Sequence, residues 1–540
     1  MADEETPGRE RQERSLAPVA VAVMAAVFMV TLFTFQVLRY RTFKAHIHDL
    51  GLISQSLWSA VHGDPFRNSI NPEIGYSSNY LGNHFSPGLV AWMPLFALWP
   101  SPVALLFSQA LVLALSAWPL YLIARAHLSG WRSAGFVALW LLQPALWFAG
   151  LYDFHHETVC ATAGLVVWLC LERGRMVPMC LTLAFMASLK EHLPLLTAAF
   201  GVYVALFTGR RRLGVWIAVI STVYFVMVMG VMVPYFNDTP SHSYFARRFP
   251  HLGSSAGEAL VTCLTRPLEV LGFMATARHA VYLAALLAPL GFLSLLGPEV
   301  LLVALPVLFI NMQSRIEISY DIGFYHADST LPWLGIAALI GYLRLPLVAP
   351  RLHRRWGRFV PWLLVAHALF WHLTVQSAYL PGTFLPLSPL ADRRDWQITD
   401  HHRQIDTLVA LIPREASLSV QPDLACFFVT RHRLYPFPRR MGDADYVLVD
   451  LTEPFGHRAE GRLFWLEYSL QATAGRTCES VGRLFQDRAL TLVFARDGYL
   501  LFSRVSDRPA VEPAQRRRAQ ELLESRCREW RSWKGRGYGS

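Results

Sequence analysis

The sequence predicts a polytopic transmembrane helical bundle, mainly α, followed by a small α/β domain, and three observations predict it. Only 16% of the 540 residues are charged, against 53% hydrophobic, whereas soluble domains average about 25% charged. The shortage is uneven: residues 16–380 alternate long apolar runs with short polar segments, while 390–540 read as an ordinary soluble chain rich in Arg and Asp. The first run, Leu16 to Leu38, carries no charge and meets the roughly 20 residues needed to cross a bilayer.

Residues 1–15 form a tail whose Arg9, Arg11 and Arg14 put the N-terminus in the cytoplasm by the positive-inside rule. The apolar run that follows exceeds the roughly 7 to 15 residues of a signal-peptide core, so it reads as a retained anchor. Residues 39–86 are polar and form a long first external loop. Further spans are expected at 102–123, 134–150, 158–171, 176–189, 193–208, 213–236, 280–296, 299–312, 330–346 and 359–380, eleven in all. The apolar stretch 87–99 is short and holds Pro87 and Pro94, so it is expected to be re-entrant or interfacial. With that choice Arg125 and Arg132, Arg173 and Arg175, Arg210 to Arg212, and Arg351, Arg354, Arg355 and Arg358 all fall on the cytoplasmic side. The net charge of +10 is therefore topological, and nucleic acid is not an expected partner.

Residues 390–507 then lie outside as an α/β domain, with strands expected at Ser417–Val420, Tyr446–Leu451, Thr491–Ala495 and Tyr499–Arg504 and a helix at 401–412. Residues 508–540, with Arg516 to Arg518 and a Gly-Arg-Gly ending, are expected to be a basic, partly disordered tail, a basic helix followed by disorder. None of the seven cysteines has metal-type spacing. Cys263, Cys426, Cys478 and Cys527 could form a bridge on an oxidising face, with the pairing open.

Four polar clusters interrupt the apolar pattern, all on the predicted external face. They are His46-Ile-His48-Asp49, Asn83-His84, Asp153-Phe-His155-His156-Glu157, and Lys190-Glu191-His192. Charges at a membrane boundary cost free energy and persist where they line a cavity or pair with one another. Carboxylates that move a proton and cations that neutralise a leaving phosphate are the parts of a transfer site. Each cluster also has a plainer reading: Asp49 could cap a surface helix, and Lys190 with Glu191 could be a structural ion pair. Two His beside two carboxylates could hold a divalent cation, although no H-E-x-x-H spacing is present. Arg247 and Arg248 suit a phosphate or a lipid headgroup, and His326 with Tyr325 enters the last external loop of the bundle.

The strings His48-Asp49-Leu50-Gly51, Leu81-Gly82-Asn83-His84-Phe85-Ser86-Pro87, Tyr152-Asp153-Phe154-His155-His156-Glu157, Lys190-Glu191-His192 and Gly297-Pro298-Glu299 resemble a bacterial family of predicted membrane proteins, domain-of-unknown-function family 2079. The layout is similar to that of the GT-C glycosyltransferases, which carry an acid in a long first external loop and use a polyprenyl-phosphate sugar. That resemblance implies a multi-pass protein of the bacterial plasma membrane that takes sugar from a lipid-linked donor and passes it to an acceptor outside. It matches Asp49 to the first-loop acid and Asp153 to the second-loop acid. Glu157 is then expected to be a third catalytic carboxylate. Asn83, His84, His155, His156, Lys190, Glu191, Arg247, Arg248 and His326 are expected to bind substrate. Asp49 lacks an adjacent second acid and the second cluster is unusually rich in His, which leaves the base and any metal open. A transporter or flippase of a lipid-linked or small polar solute, and a non-catalytic membrane scaffold, are the rival classes.

Overall fold

A computed structural model describes residues 7–239, 243–357, 359–378, 384–452, 470–505 and 508–532. It divides into two compact bodies: 1–36, 81–91 and 106–392 form the first, and 37–80, 92–105 and 393–540 the second. The Gly-Arg-Gly ending falls outside the described residues.

The first body is a helical bundle. All eleven segments expected to span lie on helical chain, but length and composition support fewer crossings. Among the described residues four helices are long and apolar enough: Leu16–Arg41, Pro102–Arg125, Arg211–Phe236 and Asp328–Val348. Two bent pairs, Gly130–Leu141 with Pro144–Leu151 and Pro267–Phe273 with Ala277–Leu290, raise the number to six. The first pair bends by 49°, where Pro144 lacks the N–H that would continue the ladder. The other five expected spans correspond to Cys160–Glu172, Met176–Ala187, Leu193–Phe207, Pro298–Gln313 and Val360–Thr374, of 12 to 16 residues. At about 1.5 Å per residue they are shorter than the roughly 30 Å hydrocarbon layer. The segment Pro87–Leu98, expected to be re-entrant or interfacial, is a short apolar helix.

Burial separates the centre of this bundle from its rim. The most apolar windows of Pro102–Arg125 and Asp328–Val348 are 67% buried, that of Arg211–Phe236 only 11%. That last helix turns Trp216, Ile220, Val223 and Val226 outward, the surface a hydrocarbon solvent selects. It is held by Leu193–Phe207 at very close approach. A Cβ on Gly201 would sit 2.5 Å from the Ala218 amide nitrogen, and one on Gly214 would strike the Ala205 backbone. Small residues at such contacts let two backbones pack by dispersion where no hydrophobic driving force operates.

The second body is built on a five-stranded sheet. β1 (Leu418–Val420), β2 (Leu434–Pro436), β3 (Tyr446–Asp450), β4 (Thr491–Arg496) and β5 (Tyr499–Ser503) lie in the order β2-β1-β3-β5-β4. β2, β1 and β3 are parallel, and β3, β5 and β4 antiparallel. The four expected strands are present. β2 was not legible, being three residues long and ending in Pro436, a residue confined to sheet edges. Helices Leu470–Gln486 and Pro513–Ser532 bury Val481, Leu484, Ala519 and Leu523 against Val447, Val449 and Phe502 of the sheet. The expected C-terminal tail therefore begins with a helix that belongs to the core.

Residues 39–80 of the first loop belong to this body, while 81–86 belong to the bundle. Ser69 Oγ accepts from the Leu434 amide and donates to its carbonyl, both at 2.8 Å, closing the free edge of β2. Gln55 bonds Ser69 and the Arg431 carbonyl. Arg41 grips Asp406 bidentately at 2.8 and 2.6 Å, and Tyr40 stacks on Phe427 with ring centres 4.4 Å apart. Composition could not reveal this, since each partner lies more than 360 residues away.

Cys478 and Cys527 form a disulfide across 49 residues, joining the two helices that cover the sheet. Replacing both with Ser should cost this body about 2–4 kcal/mol. The expected readout is a lower unfolding temperature of the full chain in detergent, together with loss of the shift caused by reductant. An unchanged melt would show that the bridge bears no load.

Candidate functional site

The turn after Pro144–Leu151 is set by one amide. Gln109, in the middle of an apolar helix and 3% exposed, donates to the carbonyls of Gly150 and Asp153 at 2.9 and 2.8 Å and accepts from the His155 amide at 2.9 Å. Gln36 adds a bond to Gly150 at 2.6 Å. These bonds satisfy backbone groups that water cannot reach and hold Asp153 at φ 35°, a conformation costly for a residue with a Cβ. Asp153 is itself buried.

Beyond this turn the chain places His155, His156 and Glu157 at the mouth of helix Cys160–Glu172. Lys190 comes from the junction of Met176–Ala187 and Leu193–Phe207 and forms an ion pair with Glu157. Both are buried, at 6% and 3% exposure. The Lys190 ammonium also sits 5.0 Å over the Tyr325 ring, whose other interactions include a stack with His155 at 3.3 Å. His156 donates from Nε2 to the Leu189 carbonyl at 2.6 Å and turns Nδ1 to Glu157 at 3.6 Å. Burial alone would raise the Glu157 pKa, but Lys190 and the two imidazoles outweigh it and hold the carboxyl well below its ordinary value.

Two further pairs border this one. The segment 82–88 fits closely between neighbours: a Cβ on Gly82 would lie 2.5 Å from the Phe236 carbonyl oxygen, and the Gly88 amide donates to Ser188 at 3.0 Å. That placement brings His84 Nδ1 to 3.1 Å from Glu191. Burial works against the Glu191 charge, yet His84 carries its pKa down to about 2. Asn83 is half-buried beside His84. On the other flank Arg248 donates to Ser319 at 3.0 Å and lies 3.4 Å from His326 Nε2. Burial first, then Arg248 and Lys190, push His326 well below 6.5, leaving it neutral. His192 is lowered to about 4 by burial and then by Lys190. Arg247 is exposed, whereas Arg248 is half-buried.

Eight of the predicted residues, His84, His155, His156, Glu157, Lys190, Glu191, Arg248 and His326, thus meet in one buried constellation of the bundle. Asp328 and Tyr325 join it: Asp328 is 2% exposed and feels the charges of both Glu157 and Lys190. Asp328 and Gln109 were missed. Their only sequence signal is a polar side chain at or inside an apolar run. Glu299 of the Gly-Pro-Glu string lies elsewhere. It starts the helix whose far end carries Asn311, and it pairs bidentately with Arg344 at 2.6 and 3.0 Å. Among the described residues no group of three His, Cys, Asp or Glu side chains could hold a metal ion.

Asp49 belongs to the second body. It is half-buried in a π-helical turn, Ile47–Gly51, a local distortion often found at functional sites. Burial pushes the pKa of its neighbours His46 and His48 down to about 3 and about 4, so both imidazoles are uncharged at neutral pH. The same body holds a second acid–imidazole group that the sequence did not suggest. His401 Nε2 lies 2.9 Å from Asp450 and Nδ1 3.1 Å from Asp497, with its ring stacked on Tyr499 at 4.5 Å. Burial opposes the imidazolium, but Asp450 and then Asp497 raise the His401 pKa above 6.5.

Two measurements test these electrostatics. Lys190→Met should destabilise the bundle by about 3–5 kcal/mol, because it strands a buried carboxylate. Adding Glu157→Gln should recover most of that loss in detergent melts, and a double variant no better than the single one would contradict the pairing. For His401 the sign is that of a raised base: its contribution is complete below about pH 6.5 and fades as pH rises through the folded value. The gap in unfolding temperature between the native chain and His401→Gln should therefore narrow from pH 6 to pH 9, and a constant gap would count against the charged clamp.

The crystal structure of ArnT from Cupriavidus metallidurans bound to undecaprenyl phosphate is similar at 13% identity and a TM-score of 0.47, over 90% of this chain and 98% of that one. The apo Archaeoglobus fulgidus oligosaccharyltransferase is similar at 12% identity and a TM-score of 0.38, over 90% of this chain and 75% of that one. No curated protein matches the sequence. The family described as predicted membrane protein (DUF2079) matches residues 39–464, and the chain belongs to that family.

Proposed function

We propose that the chain is a membrane glycosyltransferase of GT-C type that moves a sugar from a polyprenyl-phosphate donor to an acceptor on the extracytoplasmic face. The observation that carries this reading is the buried constellation around Glu157 and Lys190, where two cations and several carboxylates from separate segments meet. Sugar transfer breaks the bond between the anomeric carbon and the phosphate oxygen and leaves negative charge on the lipid phosphate. Lys190 and Arg248 are the groups that would take up that charge. Glu157, held ionised by Lys190, is suited to accept hydrogen bonds and not to donate a proton.

Asp153, His155 and His156 are proposed to orient substrate, and Asp49 to act as the base that receives the acceptor proton. The case for Asp49 rests on its place in the first loop and on neighbouring imidazoles that add no positive charge. The proposed site is extracytoplasmic in a bacterial plasma membrane. The Cys478–Cys527 bridge supports this location, since oxidising compartments sustain such bonds, and so do the Arg-rich loops on the opposite side.

The test is transfer of labelled sugar from a polyprenyl-phosphate donor in membranes containing the chain. Asp49→Asn should lower the rate by about 100-fold or more, with expression unchanged. Normal turnover in that variant would remove Asp49 as base. Solute uptake by proteoliposomes without donor consumption would instead favour the transporter class.

A further inference from the structure

Apart from this constellation, the bundle contains an open cavity of about 430 Å³, within the range of ligand sites. Its walls are helix Ala277–Leu287, the segment Glu317–Ile322, and the end of helix Val360–Thr374 with residues 375–378. Polarity runs along its length. Arg278 stands at the start of one helix and Thr374 at the end of the other, with Glu317, Asp321 and Gln376 nearby. Ala284 and Ala285 lie further into the bundle, about 10 Å from Arg278 at 1.5 Å per residue. Trp371 likewise lies one turn inward of Thr374.

The outer surface of helix Val360–Thr374 exposes Trp362, Leu363, Leu369 and Phe370, as a lipid-facing helix does. The cavity thus has a charged rim and an apolar floor at the end of two apolar helices, oriented as a membrane lipid is. Its charges are of both signs. Arg278 and Glu317 form an ion pair at the rim, with side chains 59% and 33% exposed, and such exposed pairs contribute little and exchange readily. Asp321 is 4% exposed and accepts from the Gly323 amide at 2.6 Å and from Ser377 at 3.0 Å.

We propose that this cavity seats a membrane phospholipid whose head carries both a phosphodiester and a primary ammonium. The phosphate lies at Arg278, the ammonium at the Glu317 and Asp321 carboxylates, and one acyl chain runs over Trp371, Ala284 and Ala285. A purely anionic head would meet two carboxylates against one guanidinium. A head with both charges exchanges one protein ion pair for two charge-assisted contacts.

The experiment is native mass spectrometry of the full chain in detergent, titrated with phosphatidylethanolamine or phosphatidylglycerol of identical acyl chains. The native chain should retain phosphatidylethanolamine about tenfold more tightly. Glu317→Gln, at the rim, should abolish most of that preference. Ala284→Trp, which fills the apolar floor from a partly exposed position, should weaken both lipids while the melting temperature stays near the native value. Equal retention of the two lipids, preference for phosphatidylglycerol, or unchanged binding in Ala284→Trp would each overturn the assignment. None of these outcomes depends on sugar transfer, so the site stands or falls independently of the proposed enzyme.

Discussion

The bundle depends on how an apolar interior tolerates the Glu157–Lys190 pair. Each charge removed from water costs several kcal/mol, and their attraction offsets this only with good geometry and further hydrogen bonds. The fold supplies those in layers. Tyr325 offers its ring face to the ammonium, His156 is anchored on a backbone carbonyl beside the carboxylate, and the Gln109 amide fixes the turn that carries them. The ion pair is therefore weak evidence for stability in itself and stronger evidence that something needs charge at that spot.

Loop construction in the bundle serves the same end. Asp153 is held at a positive φ, Gly82 passes against the Phe236 carbonyl with no room for a side chain, and His84 reaches Glu191 only because of that approach. Strain and close packing of this kind are retained where position matters more than stability. The neutral state of His326 and His192 follows from the same crowding, since burial and the nearby Lys190 both disfavour a further positive charge.

Much of this arrangement was legible in the sequence because charges in apolar surroundings are conspicuous. The four polar clusters and four of the five strands of the second body follow from composition and from period-two patterning. What stayed hidden depends on tertiary contact. Arg247 and Arg248 are adjacent in sequence, yet Arg247 is exposed and Arg248 half-buried, where it meets Ser319 and His326 some 70 residues later. Asp328 reads as the cap of a span until Glu157 is placed near it, and His401 reads as a surface helix residue until Asp450 and Asp497 close on it. Length and composition of the described helices support four to six crossings and do not confirm eleven, because apolar runs mark helices buried among other helices as readily as helices that traverse lipid.

The stitching of Ser69 to Leu434 has a consequence for biogenesis. The partners are 365 residues apart, so at about 5–20 residues per second the first loop is finished roughly 20–70 s before the strand it completes. During that interval Ser69, Gln55 and Arg41 have no sheet to dock on, while the helices of the bundle that follow Leu16–Arg41 are being made. Maturation of the two bodies is thus ordered by translation itself, with the helices of the first laid down before the sheet of the second is closed.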